Sequence, residues 1–63
     1  MEKGSLGKFR NLREPLSCER FSNQMFFVSN IDLASGGVEI TLFNTGETWV
    51  FDLIELQYYA DIL

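Results

Sequence analysis

Histidine is missing from this chain, cysteine and proline occur once each, as Cys18 and Pro15, and no cationic side chain follows Arg20. Each shortage excludes a class of explanation. One cysteine makes no intrachain disulfide, and without histidine the chain cannot supply the roughly four Cys or His ligands of a structural zinc site. The same shortages remove the usual pairing of a nucleophile with an oriented base, and no Gly-rich phosphate loop follows a strand signal. No catalytic, cofactor-binding or metal-ligating residue is therefore assigned, and an enzyme is not expected. Cys18, with no histidine to activate it, reads as a small half-buried hydrophobe suited to a reducing compartment.

No uninterrupted apolar run approaches the roughly 18 residues that cross a bilayer, and Met1-Glu2-Lys3-Gly4-Ser5 is not followed by the apolar segment of a secretory signal. A soluble, cytoplasmic protein with no membrane partner is expected. With 46% hydrophobic and 14% aromatic residues the chain is too apolar to be disordered throughout. At 63 residues, however, a domain buries only about 60% of the surface its unfolded chain exposes, so its stability alone is expected to be marginal. With disulfides and zinc excluded, oligomerisation or a partner protein is left to supply the difference.

What is present is charge of two signs in two places. Residues 1–20 hold all five Lys and Arg and three of the nine Asp and Glu, net +2, whereas residues 21–63 hold the other six carboxylates, net −6. A lobe of one sign steers partners of the other and repels nucleic acid and anionic membrane. The basic stretch Lys8-Phe9-Arg10-Asn11-Leu12-Arg13 is too sparse for strong phosphate neutralisation, and docking of this segment onto the chain's own acidic lobe is favoured over a nucleic-acid contact.

Residues 1–8, with Gly4, Ser5 and Gly7, read as a flexible N-terminal arm, and residues 9–63 as a single small α+β domain. Leu6, Phe9, Leu12 and Leu16 recur at helical spacing, but Pro15 interrupts them, so a short helix or a turn from Pro15 to Arg20 is expected. From Met25 three segments rich in β-branched and aromatic residues follow, about 25–32, 38–43 and 47–52, separated by Ala34-Ser35-Gly36-Gly37 and Asn44-Thr45-Gly46. These predict a three-stranded antiparallel meander. Asp52 and Glu55 form a capping-box pattern ahead of an apolar run, predicting a C-terminal helix over 53–63 that packs on the meander. This order recurs in small bacterial and phage domains and carries no function with it.

A three-residue loop Asn44–Gly46 pairs Leu42 with Thr48, Thr41 with Trp49, Ile40 with Val50 and Glu39 with Phe51. That register puts Val38, Ile40, Leu42 and Val50 on one face, and Phe43, Trp49 and Phe51 with Glu39, Thr41 and Glu47 on the other. The aromatic face has the composition of an interaction hot spot rimmed by carboxylates, and equally that of a core face. On the helix, Ile54, Tyr58 and Ile62 form a second apolar stripe with no intrachain partner. Glu39, Phe43, Glu47, Trp49, Phe51, Ile54, Tyr58 and Ile62 are accordingly the candidate partner-binding residues. The function expected is that of a small acidic protein-binding module, an inhibitor or adaptor on a larger, basic-surfaced protein, whose carboxylates would mimic nucleic-acid charge. A homo-oligomeric structural or accessory protein is the alternative, and nucleic-acid binding through the basic arm the weaker one.

Overall fold

Residues 1–11 and 20–63 are described by the computed structural model. Five strands, β1 (Leu6–Phe9), β2 (Met25–Asp32), β3 (Gly37–Leu42), β4 (Thr48–Asp52) and β5 (Ala60–Ile62), form one antiparallel sheet in the order β4-β3-β2-β1-β5, with a helix α1 (Leu53–Tyr59) between β4 and β5. The fold is α+β as expected, and the meander β2-β3-β4 is there. It is three-fifths of a larger sheet, because both ends of the chain add a strand. No helix of the described residues is long and apolar enough to cross a membrane.

The N-terminal segment differs most from the expectation. Leu6–Phe9 is a strand between β2 and β5, where the sequence suggested an arm running into a helix. The preceding residues are tied too, since Gly4 N donates to Val28 O at 2.7 Å and Val28 N donates to Ser5 O at 2.8 Å. The expected Pro15–Arg20 turn and the helical positions Leu12 and Leu16 lie outside the described residues. Burial explains the strand: Gly7 and Phe9 alternate with Leu6 and Lys8, so one side of β1 enters the core and the other meets solvent.

The C-terminal helix is shorter than expected. Asp52 caps it as predicted, accepting from Ile54 N at 2.9 Å, but the chain leaves the helix at Ala60 and runs along β1. Arg10 N donates to Tyr59 O and Leu63 N to Leu6 O, so β1 gains a partner on its second edge. A helix continued to residue 63 would leave those backbone groups of β1 without a strand to pair with.

Both hairpins turn through four residues, Leu33–Gly36 and Phe43–Gly46, built on one plan. In each the last loop residue is a glycine at positive φ, 76° for Gly36 and 74° for Gly46. Its N–H donates back to the residue that ends the strand, Asp32 O and Leu42 O, both at 2.9 Å. A hydroxyl one position earlier then takes the next N–H: Ser35 Oγ accepts from Gly37 N at 3.3 Å and Thr45 Oγ1 from Glu47 N at 3.1 Å. The side chain thus satisfies the donor that the glycine has displaced.

The core lies on one face of the sheet under α1. Phe9, Phe21, Phe26, Val28, Val38, Ile40, Leu42, Leu56 and Ala60 are buried, with Ile31, Trp49, Phe51, Leu53 and Tyr59 packed around them. Phe9 is the aromatic hub, its ring centroid 5.3 Å from Phe21, 4.9 Å from Phe26 and 5.7 Å from Phe51. The tip of the Phe26 ring abuts Gly7, where any Cβ would overlap Cζ, Cε1 and Cε2 of the ring. Glycine at this central position is a packing requirement. Gly7→Ala is therefore expected to force Phe26 aside and to lower stability by about 1–3 kcal/mol, the usual cost of overpacking a core. Chemical denaturation checks it, and a midpoint equal to the parent's would show that Phe26 does not sit on β1.

Candidate functional site

The extra loop residue decides where the candidate aromatics point. Leu42 N donates to Glu47 O at 2.9 Å, so Leu42 and Glu47 flank the loop and Phe43 belongs to it. The pairs become Thr41 with Thr48, Ile40 with Trp49, Glu39 with Val50 and Val38 with Phe51. This is one residue away from the register expected from a three-residue loop, and a slip of one residue turns every side chain of the strand to the opposite face. Trp49 and Phe51 accordingly share the covered face with Val38, Ile40 and Leu42, and Val50 takes the outer face with Glu39 and Thr41.

Trp49 is half-buried at the rim of the core, edge-on to Phe21 with centroids 5.2 Å apart. The Arg20 guanidinium lies 4.7 Å from its ring centre and 3.4 Å from Glu47 Oε2. Glu47 thus belongs to a small layered contact that seals Trp49, in which an exposed ion pair contributes about 0–1 kcal/mol and the cation over the ring about 0.5–1 kcal/mol. The indole Nε1 has no hydrogen-bond partner among the described residues.

Glu39 and Phe43 lie on the outer face. A bulge in β2 between Val28 and Asn30 leaves Ser29 without a Cα partner, and its hydroxyl donates to Glu39 Oε2 at 3.0 Å while accepting from Thr41 Oγ1 at 3.1 Å. Phe43 packs on Phe27, centroids 5.5 Å apart, and stays 53% exposed. Around Glu39 a shallow hollow is lined by Asn30, Asp32, Ser35, Gly37 and Val50. No group of three or more Cys, Asp or Glu among the described residues is placed to hold a metal.

The helix stripe is split. Ile54 and Tyr58 stand one turn apart on the solvent side of α1, 76% and 72% exposed, and Tyr58 meets the ring of Tyr59 edge-on. Ile62 has left them for β5, where its Cα partner is Gly7. The eight candidate residues therefore occupy four places: the core rim, the outer face, the solvent side of α1 and, for Ile62, the edge strand β5.

Part of the basic segment does dock on the acidic lobe. Arg10 Nη2 lies 2.8 Å from Asp61 Oδ1, and Arg10 Nη1 donates to Tyr58 O at 2.6 Å near the end of α1. The hydrogen bond from Arg10 holds the Asp61 carboxyl below the usual carboxylate range, and Asp61 in return raises Arg10. With Glu47 and Asp61 taken by Arg20 and Arg10, the carboxylates of Asp32, Glu39, Asp52 and Glu55 have no ion pair among the described residues. Sequence reasoning missed Lys8, Leu6 and Phe27 on the outer face, because the strand alternation of β1 is hidden in a segment with two glycines.

The chain matches no protein-family model, no curated protein and no solved structure. Its residues alone carry the functional argument.

Two outcomes follow from this geometry. Trp49→Ala should cost about 3 kcal/mol, the lower end for aromatic truncation in a core, whereas Phe43→Ala on the outer face should stay within about 0.5 kcal/mol. Equal and small effects on the denaturation midpoint would restore the slipped register. Because the folded pKa of Asp61 is depressed, its contribution is present above the unfolded value of about 3.9 and is lost as pH falls through the folded one. The stability gap between the parent and Asp61→Asn should be constant near neutral pH and close below about pH 4. A gap that persists in acid would mean that the Arg10 ion pair is not its source.

Proposed function

We propose that the chain is a small acidic protein-binding module, an inhibitor or adaptor, which engages a larger protein with a basic surface through the solvent side of α1. The carrying observation is the exposed pair Ile54 and Tyr58. A seven-residue helix that already buries Leu56 does not need two further large apolar side chains in water, and an isolated pair of this kind next to charge is the composition of a contact anchor with its rim. The rim is acidic, with Asp52 at the N-cap and Glu55 in the first turn, neither ion-paired among the described residues. A partner offering Lys or Arg around an apolar depression would meet both features. Glu47, Trp49 and Phe51 leave the contact list, since their packing serves the fold, and the cationic arm is a poor nucleic-acid ligand with Arg10 and Arg20 held by Asp61 and Glu47.

Charge and apolar anchor make separable demands. Charge sets the rate of encounter, and the desolvated anchor sets residence time. Affinity capture with the parent from the cell that makes the protein, or from its host, should retain a protein whose yield falls at high salt. Tyr58→Glu with Ile54→Ser should weaken that complex by about 30-fold, the equivalent of a 2 kcal/mol hot spot, with the circular dichroism spectrum unchanged. The reading fails if the same protein is retained by both chains.

A further inference from the structure

The sheet face opposite α1 has its own pattern, independent of the helix. No described residue packs over it, yet it carries Leu6, Met25, Phe27 and Phe43 in adjacent positions, with Leu6 46% and Phe43 53% exposed. Phe27 lies at the centre because β2 is the middle strand of five. In the row across the sheet Leu6 pairs with Phe27 and Phe27 with Thr41. From that row, two residues along β1 leads to Lys8 beside Met25, and two residues back along β3 leads to Glu39. Since β1 and β3 are both antiparallel to β2, they run in the same direction. Lys8 and Glu39 therefore stand on opposite sides of Phe27 in both directions, at the two ends of a diagonal drawn through it. On the β5 side Lys8 has Asp61 as its Cα partner, but Asp61 is held by Arg10, so Lys8 keeps its charge unpaired among the described residues, while beyond Glu39 the acids Asp32 and Asp52 flank Gly37.

A basic protein would meet Lys8 on this face and an acidic one would meet Glu39, so neither matches it. A surface with the same two charges in reversed order does match, and the face itself is that surface after a two-fold rotation. We propose that two copies of the chain associate face to face, with the symmetry axis in the interface plane over Phe27. Phe27 then packs against its counterpart, Leu6, Met25 and Phe43 surround it, and Lys8 of each copy meets Glu39 of the other. This is an isologous contact, closed at two copies, and because the axis runs perpendicular to the Lys8–Glu39 diagonal the strands of the two sheets cross steeply, as in orthogonal rather than aligned packing. The dimer leaves Ile54 and Tyr58 free, on the far side of each sheet, and the proposal does not depend on the role given to them.

The pairing of unlike charges in a symmetric contact has a distinctive test. Sedimentation equilibrium at submillimolar concentration should give twice the chain mass for the parent. Lys8→Glu alone and Glu39→Lys alone should each weaken association by at least tenfold, because each places like charges together twice. Mixing the two variants in equal amounts should restore the dimer, since the chain bearing two acids meets the chain bearing two bases. Both positions are at the surface or half-buried, and a circular dichroism spectrum checks that each variant is folded. If a variant does not fold, Leu6→Ser with Phe43→Ser reads the same face without altering charge and should also yield monomer. A monomeric parent overturns the proposal, and so does a dimer indifferent to these changes or a variant mixture that stays monomeric. None of these outcomes bears on capture of a protein by α1.

Discussion

The loop Phe43–Gly46 is the constraint on which the arrangement of the molecule depends. By taking in Phe43 it sets Leu42 opposite Glu47, and so turns Trp49 and Phe51 toward Phe9 and Phe21. With one residue fewer, two large aromatic rings would lie in water, and Val50 alone would replace them against the core. In a chain of this size those rings are a large share of the apolar area available for burial, worth about 25 cal/mol for each Å² removed from water. Two local devices hold the loop, positive φ at Gly46 and the Thr45 hydroxyl that takes the spare N–H. The same pair at Ser35 and Gly36 indicates that the chain uses one turn solution twice.

The second condition is the extension of the sheet by β1 and β5, which leaves β4 and β5 as its edges. β1 reaches the middle of the structure only because Gly7 leaves room for Phe26, and β5 then covers the edge that β1 would otherwise present. An open edge is a template for pairing with other chains. Here it is occupied by three residues from the end of the described chain, and Arg10 fastens the seam through Asp61 and the Tyr58 carbonyl. The docked cations are thus part of the fold: Arg10 ties the helix end to β1, and Arg20 covers Trp49.

How much of this could be read from the residues follows from the range of each interaction. The strands β2, β3 and β4, the glycine turns and the Asp52 cap are local, each set by neighbours within a few positions, and they stand where the periodicity put them to within a residue. β1 and β5 are not local. Leu6-Gly7-Lys8-Phe9 has the alternation of a strand but only four residues of it, and its partners lie near residues 26 and 61. Ala60 and Ile62 satisfy a helical stripe as well as a strand, so periodicity alone cannot choose between them. The β3–β4 register failed for a narrower reason, since Asn44-Thr45-Gly46 supports a loop of three residues or of four, and the difference lies in whether Phe43 ends a strand or begins a turn. That single ambiguity moved Glu47, Trp49 and Phe51 into the candidate surface. Ile54 and Tyr58 are exposed as the helix phase predicts, because Asp52 anchors that phase directly.

Segregation of charge along the sequence has a different meaning once the chain is folded. Among the described residues Arg10 and Arg20 neutralise Asp61 and Glu47, and both neutral pairs lie at seams between segments. The acids with no ion pair among the described residues, Asp32, Glu39, Asp52 and Glu55, gather toward the end of the sheet where Asp32, Gly37 and Asp52 are aligned across β2, β3 and β4. Lys8 lies on the same outer face toward the opposite end. A chain that is basic first and acidic later has thus become a sheet with a charge gradient across one face and, beside α1, an acidic rim with no ion pair among the described residues. The gradient is complementary to its own reversal and the rim to cations, so the two surfaces differ in the charge that would suit them.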